Sequence, residues 1–382
     1  MNKLQSKISL IPNLVLFFSI VIGTITLFAT IFGLLEYLKF DLQYFKDNKW
    51  ISIYLIILHG VTFGFIALYY RLMLRISSDT YKSVQSNISE SNDSILANDL
   101  IQSLTNALHS KHYKEVIRIG SALSKPFFLS GNYKVRLSIG SLVEEAAAAI
   151  NDKERQAIEL IDSLGWMNVE LGNLDEGEKS IKHGLQLSKE ISNHFYVSKA
   201  NRHLGAICRR KKNYEAAEKY YLQSLEEAEK IIEPTSKTEA IAGTYYAQTL
   251  LHYHQKNYLK AKEYIELSIQ KFQEIKYSEK VNMSLITKAD ILFALEKIHE
   301  AKDLYRQVMH LSETSSQRLQ MVSSYIGLAK VYISETDWLK AVEYLEKAEN
   351  IEKGLSSASE QLEINELWTK IPRKVIKKIT NT

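Results

Sequence analysis

The chain has 382 residues, 46% hydrophobic and 24% charged, which excludes a disordered polyelectrolyte and suffices for one large or two ordinary domains. Its 48 Lys and Arg against 44 Asp and Glu give a formal net charge of +4, so a general nucleic-acid-coating role is excluded while local basic patches are not. A single cysteine, Cys208, excludes an internal disulfide and any cysteine-built metal site.

Two apolar stretches come first in the chain, at about 14–35 and 51–72, both uncharged through their cores. About twenty apolar residues span a bilayer as helix, so residues 1–76 are expected to form a two-span transmembrane hairpin. The first stretch is longer than a signal-peptide core and no small-x-small cleavage site follows it, which makes it an uncleaved anchor. Lys3 and Lys7 before the first span, and Arg71, Arg75 and Lys82 after the second, place both termini on the cytoplasmic side of a cell membrane. Gly60 and Gly64 are four apart and form a small-residue ridge suited to helix packing and to homo-oligomer contact. His59 lies near the middle of the second span, where pairing with Thr24, Thr26 or Ser19 is the expected role.

Residues 77–94 are polar and read as a neck. From 95 to 365 the pattern changes: apolar residues recur at three and four, helix after helix, with only Pro126 and Pro234 interrupting, both where a helix is expected to end. A triplet then repeats: Leu174, Gly177, Ile181; Tyr214, Ala217, Tyr221; Tyr258, Ala261, Ile265; Ile298, Ala301, Tyr305; Trp338, Ala341, Leu345. The leading residues are 40, 44, 40 and 40 positions apart, the mark of a solenoid. The small residue lets two antiparallel helices cross closely while the large ones fill the groove on either side. Partner helices upstream carry Leu164-Gly165, Leu204-Gly205, Ala289 and Gly327-Leu328-Ala329, which puts Cys208 at a packing position. The first part is less regular. Leu104 to His112 followed by Tyr113, Val116 and Gly120 reads as a degenerate first unit, and 153–164 either closes the next unit or opens another, for six or seven helical pairs in all.

These residues resemble the tetratricopeptide repeat family, best at Leu204, Gly205, Tyr214, Ala217 and Tyr221, and at Leu328, Ala329, Tyr332, Trp338, Ala341 and Leu345. The period exceeds the family's usual length of about 34, as in its long-repeat branch found in kinesin light chains and bacterial peptide-binding regulators. The resemblance covers roughly 95–365 and implies an all-α solenoid that supplies a binding surface rather than chemistry. The expected fold class is therefore an all-α chain, a transmembrane helical hairpin followed by a tetratricopeptide-like solenoid.

A solenoid binds on the face lined by its first helices. The candidates there are Lys199, Arg202, Arg209 and Arg210, with Tyr246 and Tyr253 from the next unit, a cationic patch beside aromatics suited to an acidic or phosphorylated ligand or a peptide C-terminus. His252 and His254 are two apart and face different sides of a helix, and no catalytic, nucleotide-binding or metal-site motif occurs. No enzymatic activity, cofactor, metal or nucleic-acid partner is expected. The tail 366–382 is basic and amphipathic; Trp368, Arg373, Lys374, Lys377 and Lys378 are its candidates for contact with anionic lipid. The function expected from sequence is a membrane-anchored adaptor that binds a protein or peptide on a cytoplasmic solenoid. The alternative is a ligand-sensing membrane effector whose solenoid controls the hairpin. A third layout, two spans followed by such repeats, resembles the haem-pathway-associated membrane protein of bacteria in architecture alone.

Overall fold

The computed structural model describes residues 93–129, 131–315, 317–352 and 358–374. In chain order the helices are α1 Asp93–His109, α2 Tyr113–Leu129, α3 Tyr133–Ala149, α4 Lys153–Glu159, α5 Met167–Glu170, α6 Leu174–Glu190, α7 His194–Arg210 and α8 Tyr214–Glu229. They continue as α9 Pro234–His254, α10 Tyr258–Glu274, α11 Ser278–Ala294, α12 Ile298–Ser315, α13 Arg318–Ser334, α14 Trp338–Glu352 and α15 Ala358–Lys370. A π-helical stretch, Leu160–Trp166, joins α4 to α5. Its flanking residues Glu159 and Met167 keep helical backbone angles, so 153–170 is one continuous rod.

The period comes from a simple local rule. Helices of 17 residues, such as α6 and α7, alternate with three-residue turns. The residue in the middle of the turn has a left-handed backbone, as at Asn151, Ser192, Lys212, Lys256, Lys276, Glu296 and Thr336. The next residue caps the following helix: Asp152 and Asn213 each accept from a main-chain N–H three residues on, at 3.0 and 3.2 Å. On the other side of the same turn, Asn213 N–H donates to Cys208 O at 2.8 Å and Lys212 N–H to Arg209 O at 2.9 Å. The turn thereby satisfies the otherwise orphaned carbonyls of the finished helix and the amides of the new one.

Tertiary packing follows the triplets. Ala217, Tyr221, Ala261, Ile265, Ala301, Tyr305, Ala341 and Leu345 are completely buried. Gly205 of α7 lies against the Tyr221 ring of α8, where a Cβ would overlap it, and Gly327 of α13 sits in the same way on Tyr305. Ser198 and Ser224 cross-link α7 to α8 reciprocally, each hydroxyl donating to the other's carbonyl at 2.8 Å. The last units share a core of Val322, Ile326, Leu328, Val331, Ala341, Leu345 and Ile364, with Trp368 packed against it.

Several expectations are corrected. Pro126 lies inside α2 rather than after it, and Pro234 opens α9, with the Glu233 carboxylate accepting from the Thr235 amide at 2.9 Å. Helix α2 packs more extensively against α3 than against α1, so the first hairpin is α2–α3, and the rod 153–170 opens the next one with α6. The hairpins are then α2–α3, 153–170 with α6, α7–α8, α9–α10, α11–α12 and α13–α14, followed by α15.

The membrane part of the expected fold class is also corrected. The stretches 14–35 and 51–72, with His59, Gly60 and Gly64, lie outside the described residues. Among the described residues no helix is long and apolar enough to cross a membrane. The physical reason is that these helices are two-faced: even the longest, α9 with 21 residues, carries Lys237, Glu239 and two terminal histidines. The fold is an all-α solenoid of tetratricopeptide-like hairpins. The transmembrane hairpin, the integral-membrane partner and the multi-pass membrane location expected from sequence are not retained.

Candidate binding face

The first helix of each hairpin contributes to one inner layer, and the side chains on it reach from one hairpin to the next. Lys199 of α7 donates to Asp162 of the π-helical stretch at 2.6 Å. Arg210 donates to Val169 O at 2.6 Å and to Glu170 at 2.8 Å, with its guanidinium 5.6 Å from the Trp166 ring centre. Tyr246 of α9 and Thr287 of α11 share a hydrogen bond of 3.1 Å. Lys330 of α13 sits between Asp290, at 3.3 Å, and Glu363 of α15. Burial works against its charge, but the two carboxylates prevail and hold its ammonium above the ordinary lysine range. The rod 153–170 is thus tied to α7, and α11 to α13, by charge-assisted bonds, and α9 to α11 by a neutral one.

Asp162 is the centre of this network. Burial would push its carboxyl up, but the charges of Lys199 and Arg136 hold it well below the usual carboxylate range. His203 stacks on Trp166, with ring centres 4.3 Å apart, and its buried Nε2 lies 3.9 Å from Asp162. That separation is too long for a hydrogen bond, and Nε2 has no partner among the described residues. Burial pushes this imidazole down to about 3, so it is neutral at physiological pH.

The sequence candidates divide into two groups. Lys199 and Arg210 are engaged within the fold, as described. Arg202 and Arg209 are not paired with a carboxylate among the described residues. Arg202 lies over Gly243 of α9, where a Cβ would collide with its guanidinium, so the glycine is what admits the arginine. Burial lowers the Arg202 pKa, and Glu239 and Asp162 act on it in the opposite direction. Arg209 is 9% exposed, and its enclosed Nε has no hydrogen-bond partner. Tyr253 is half-buried beside Tyr258, ring centres 5.5 Å apart, and burial pushes its phenol up to about 12.

At the C-terminus, Trp368 packs on the last core, whereas Arg373 and Lys374 are exposed; Lys377 and Lys378 lie outside the described residues. The first helices also hold residues the sequence reading did not single out, Phe128, Asp162, Glu239 and Lys280, and Arg136 of the second helix α3 lies over the Phe128 ring. Asp162 and Lys199 are 37 positions apart, close to one repeat, and a search for opposite charges at that spacing would have found the pair.

Compared with known proteins, the tetratricopeptide repeat pattern matches residues 199–231. No curated protein sequence matches the chain. Among solved structures, a signal transduction ATPase with numerous domains and a tetratricopeptide repeat sensor, from Pyrococcus horikoshii, is similar at 19% identity and a TM-score of 0.48. The likeness covers 72% of this chain, which spans only 40% of the length of that one. A Rap protein complexed with competence and sporulation factor is 13% identical over 74% of this chain and 95% of its own, with a TM-score of 0.47. NprR in complex with its cognate peptide NprX is 14% identical over 85% and 99%, with a TM-score of 0.43. The solenoid assignment rests on the helices and turns themselves rather than on these likenesses. Tetratricopeptide repeats are typically non-catalytic interaction scaffolds, the sequence carries no catalytic motif, and the described residues hold no cluster of three or more His, Cys, Asp or Glu able to bind a metal.

Proposed function

We propose that the solenoid is a docking scaffold that holds a segment of a partner protein on its inner face. The observation that carries this reading is the uneven pairing of charge there. Lys199, Arg210 and Lys330 are each bonded to a carboxylate of the neighbouring hairpin, which fixes the first helices relative to one another. Arg202 and Arg209 stand on the same layer without one. A guanidinium kept buried or half-buried without a carboxylate is costly unless a ligand supplies its acceptors. Tyr246 and Tyr253 belong to the next first helix, α9, and offer flat apolar area with little side-chain entropy to lose. A face already rigid before binding loses less freedom when a ligand is captured.

The test is position-dependent cross-linking in the source cells. A photo-reactive residue placed at Arg202 or Tyr253 is expected to capture a discrete partner. One placed at Leu222, which is 51% exposed on the second helix α8, is expected not to. Equal capture from both positions, or capture from Leu222 alone, would remove the inner face as the docking surface.

A further inference from the structure

The row of hairpins closes on itself. Helix α3 is tied to the rod 153–170 by Gln156 Nε2, which donates to Glu144 at 2.7 Å, and the rod to α7 by Lys199 and Asp162. Arg202 of α7 lies over Gly243 of α9, and Tyr246 of α9 shares a hydrogen bond with Thr287 of α11. The circuit then returns to its start: Lys125 Nζ of α2, the helix packed on α3, is 3.3 Å from the Glu279 carboxylate of α11. Two more contacts cross this junction in opposite directions. Lys125 Nζ lies 6.0 Å from the ring centre of Tyr277, at the start of α11, and Lys280 Nζ lies 5.8 Å from the ring centre of Phe128 in α2. The first hairpin thus meets the fifth, with the hairpins of the rod, α7 and α9 between them. This junction differs in kind from the others. Adjacent hairpins bury apolar side chains together, as Ile161, Val169, Ile181, Ala200 and Leu204 do between the rod, α6 and α7. Helices α2 and α11 are not packed extensively, and the Lys125 and Glu279 side chains stay 58% and 22% exposed. An exposed ion pair is weak and is screened by salt, and a cation over a partly exposed ring adds little more.

We propose that the junction of Lys125 and Phe128 with Tyr277, Glu279 and Lys280 is a latch, which parts to admit a partner segment to the inner face. This rests on the docking reading above. The helices that carry Arg202, Arg209, Tyr246 and Tyr253 are α7 and α9, and both lie between the two sides of the latch. Opening needs no core to be broken. A solenoid curves by a small rotation from each hairpin to the next, so slight changes summed over the intervening hairpins separate its two ends. The latch is also independent of the helices that bear it. Glu279 lies in the first turn of α11, where the helix dipole favours a carboxylate whether or not Lys125 is near. Only the open fraction of the molecules admits a segment from the side, so capture of the partner scales with that fraction. The contacts are electrostatic, and salt therefore shifts the balance towards the open state.

The test uses the full chain carrying Cys208→Ser, with spin labels on cysteines placed at the exposed positions Ala122 and Ser278. Pulsed double electron resonance reads their separation. The parent is expected to show a main short distance and a minor longer one. Raising the salt from about 0.05 M to about 1 M is expected to enlarge the longer population. Lys125→Glu is expected to raise its ratio to the short one about fivefold or more at low salt, the shift that loss of one exposed ion pair produces. Adding Glu279→Lys to that variant is expected to return part of the short distance. The melting temperature is expected to stay that of the parent in both. Photo-capture of the partner from position Arg202 is expected to rise with the longer population. It is expected to fall when a bifunctional thiol reagent locks Lys125→Cys to Glu279→Cys. A separation that neither salt nor Lys125→Glu changes overturns the latch, as does equal capture from Arg202 in locked and unlocked protein. If capture still differs between Arg202 and Leu222, the docking reading stands without the latch. Equal capture from those two positions in the unlocked chain removes the docking reading, and the latch with it.

Discussion

Two first helices of the solenoid carry extra residues, and the fold accommodates them differently. In the rod 153–170 the left-handed turn residues on either side, Asn151 and Gly172, are 21 positions apart, against 20 between Ser192 and Lys212. Between Lys212 and Lys256, across α8 and α9, the separation is 44 rather than 40. One extra residue in an α-helix turns everything beyond it by about 100° and would take Trp166 and Glu170 off the inner layer. The π-helical stretch Leu160–Trp166 absorbs that residue, and Glu170 still meets Arg210. Four extra residues make about one whole turn, so α9 simply lengthens to 21 residues with its inner row still facing inward. The difference shows that the solenoid preserves the angular register of its inner layer, not the length of its helices. The place where register had to be rescued by a π-turn is also where Asp162 meets Lys199.

The sharpest way to break this comparison is to insert one alanine between His203 and Leu204. Helix α7 has no π-turn, so Leu204, Gly205 and Ile207 would rotate out of the core. A loss of about 3 kcal/mol or more is expected, seen as an early or non-cooperative thermal melt. An unchanged melt would mean that any first helix can absorb a residue, and the special place of 160–166 would be lost. A step smaller, Ala217→Leu and Ala341→Leu overpack completely buried crossings and are each expected to cost roughly 1–3 kcal/mol by the same measurement. Stability equal to the parent would show that the crossings lie elsewhere.

Asp162→Asn addresses the electrostatic consequence of the π-turn. It leaves Lys199 with a lost partner in a site where the two side chains are 20% and 16% exposed, so a cost of about 1–2 kcal/mol at pH 7 is expected, below that of a fully buried pair. The Asp162 carboxyl is held below its unfolded pKa of about 3.9, so its contribution is present above that value and is lost as pH falls below it. The parent should therefore lose more stability than Asp162→Asn between about pH 5 and pH 2. Parallel acid-melting curves would show that Asp162 makes no such contribution. The smallest effect is expected from deleting Leu164, which returns 153–170 to the 17-residue length of α7. The fold should survive with a change of about 1 kcal/mol, because the helix on both sides regains α-helical register. A collapse of the melt would show the π-turn to be essential rather than accommodating.

Much of this was legible in residue spacing. The triplet from Tyr214 to Tyr221 and its copies mark the second helices because small and large residues three and four apart share one helical face, and the structure buries each of these pairs completely. The pairing of α2 with α3 was not legible, since Val116 and Gly120 fit either neighbour equally well as apolar positions. Nor was the division among the inner cations. Lys199 and Arg202 are both basic residues on one helix, but only the first has a carboxylate in reach, and that depends on where Asp162 arrives after the π-turn. The membrane-spanning expectation rested on hydropathy of stretches outside the described residues, and the two-faced helices of the described ones give no support to it.

What the sequence determined by itself is local: the 20-residue beat of helix and turn, set by left-handed turn residues followed at most turns by an Asn or Asp, and the faces on which small and large side chains meet. These depend on neighbours a few positions apart, and any segment carries the information for its own helix. Tertiary structure decided what depends on distant partners. It brought Lys125 to Glu279 and set Arg136 and Lys280 over one ring, and it separated cations bonded to a neighbouring hairpin from those left without one. The physical reason is that a charge acts through space: its surroundings are fixed only once helices far apart in the chain have closed on one another.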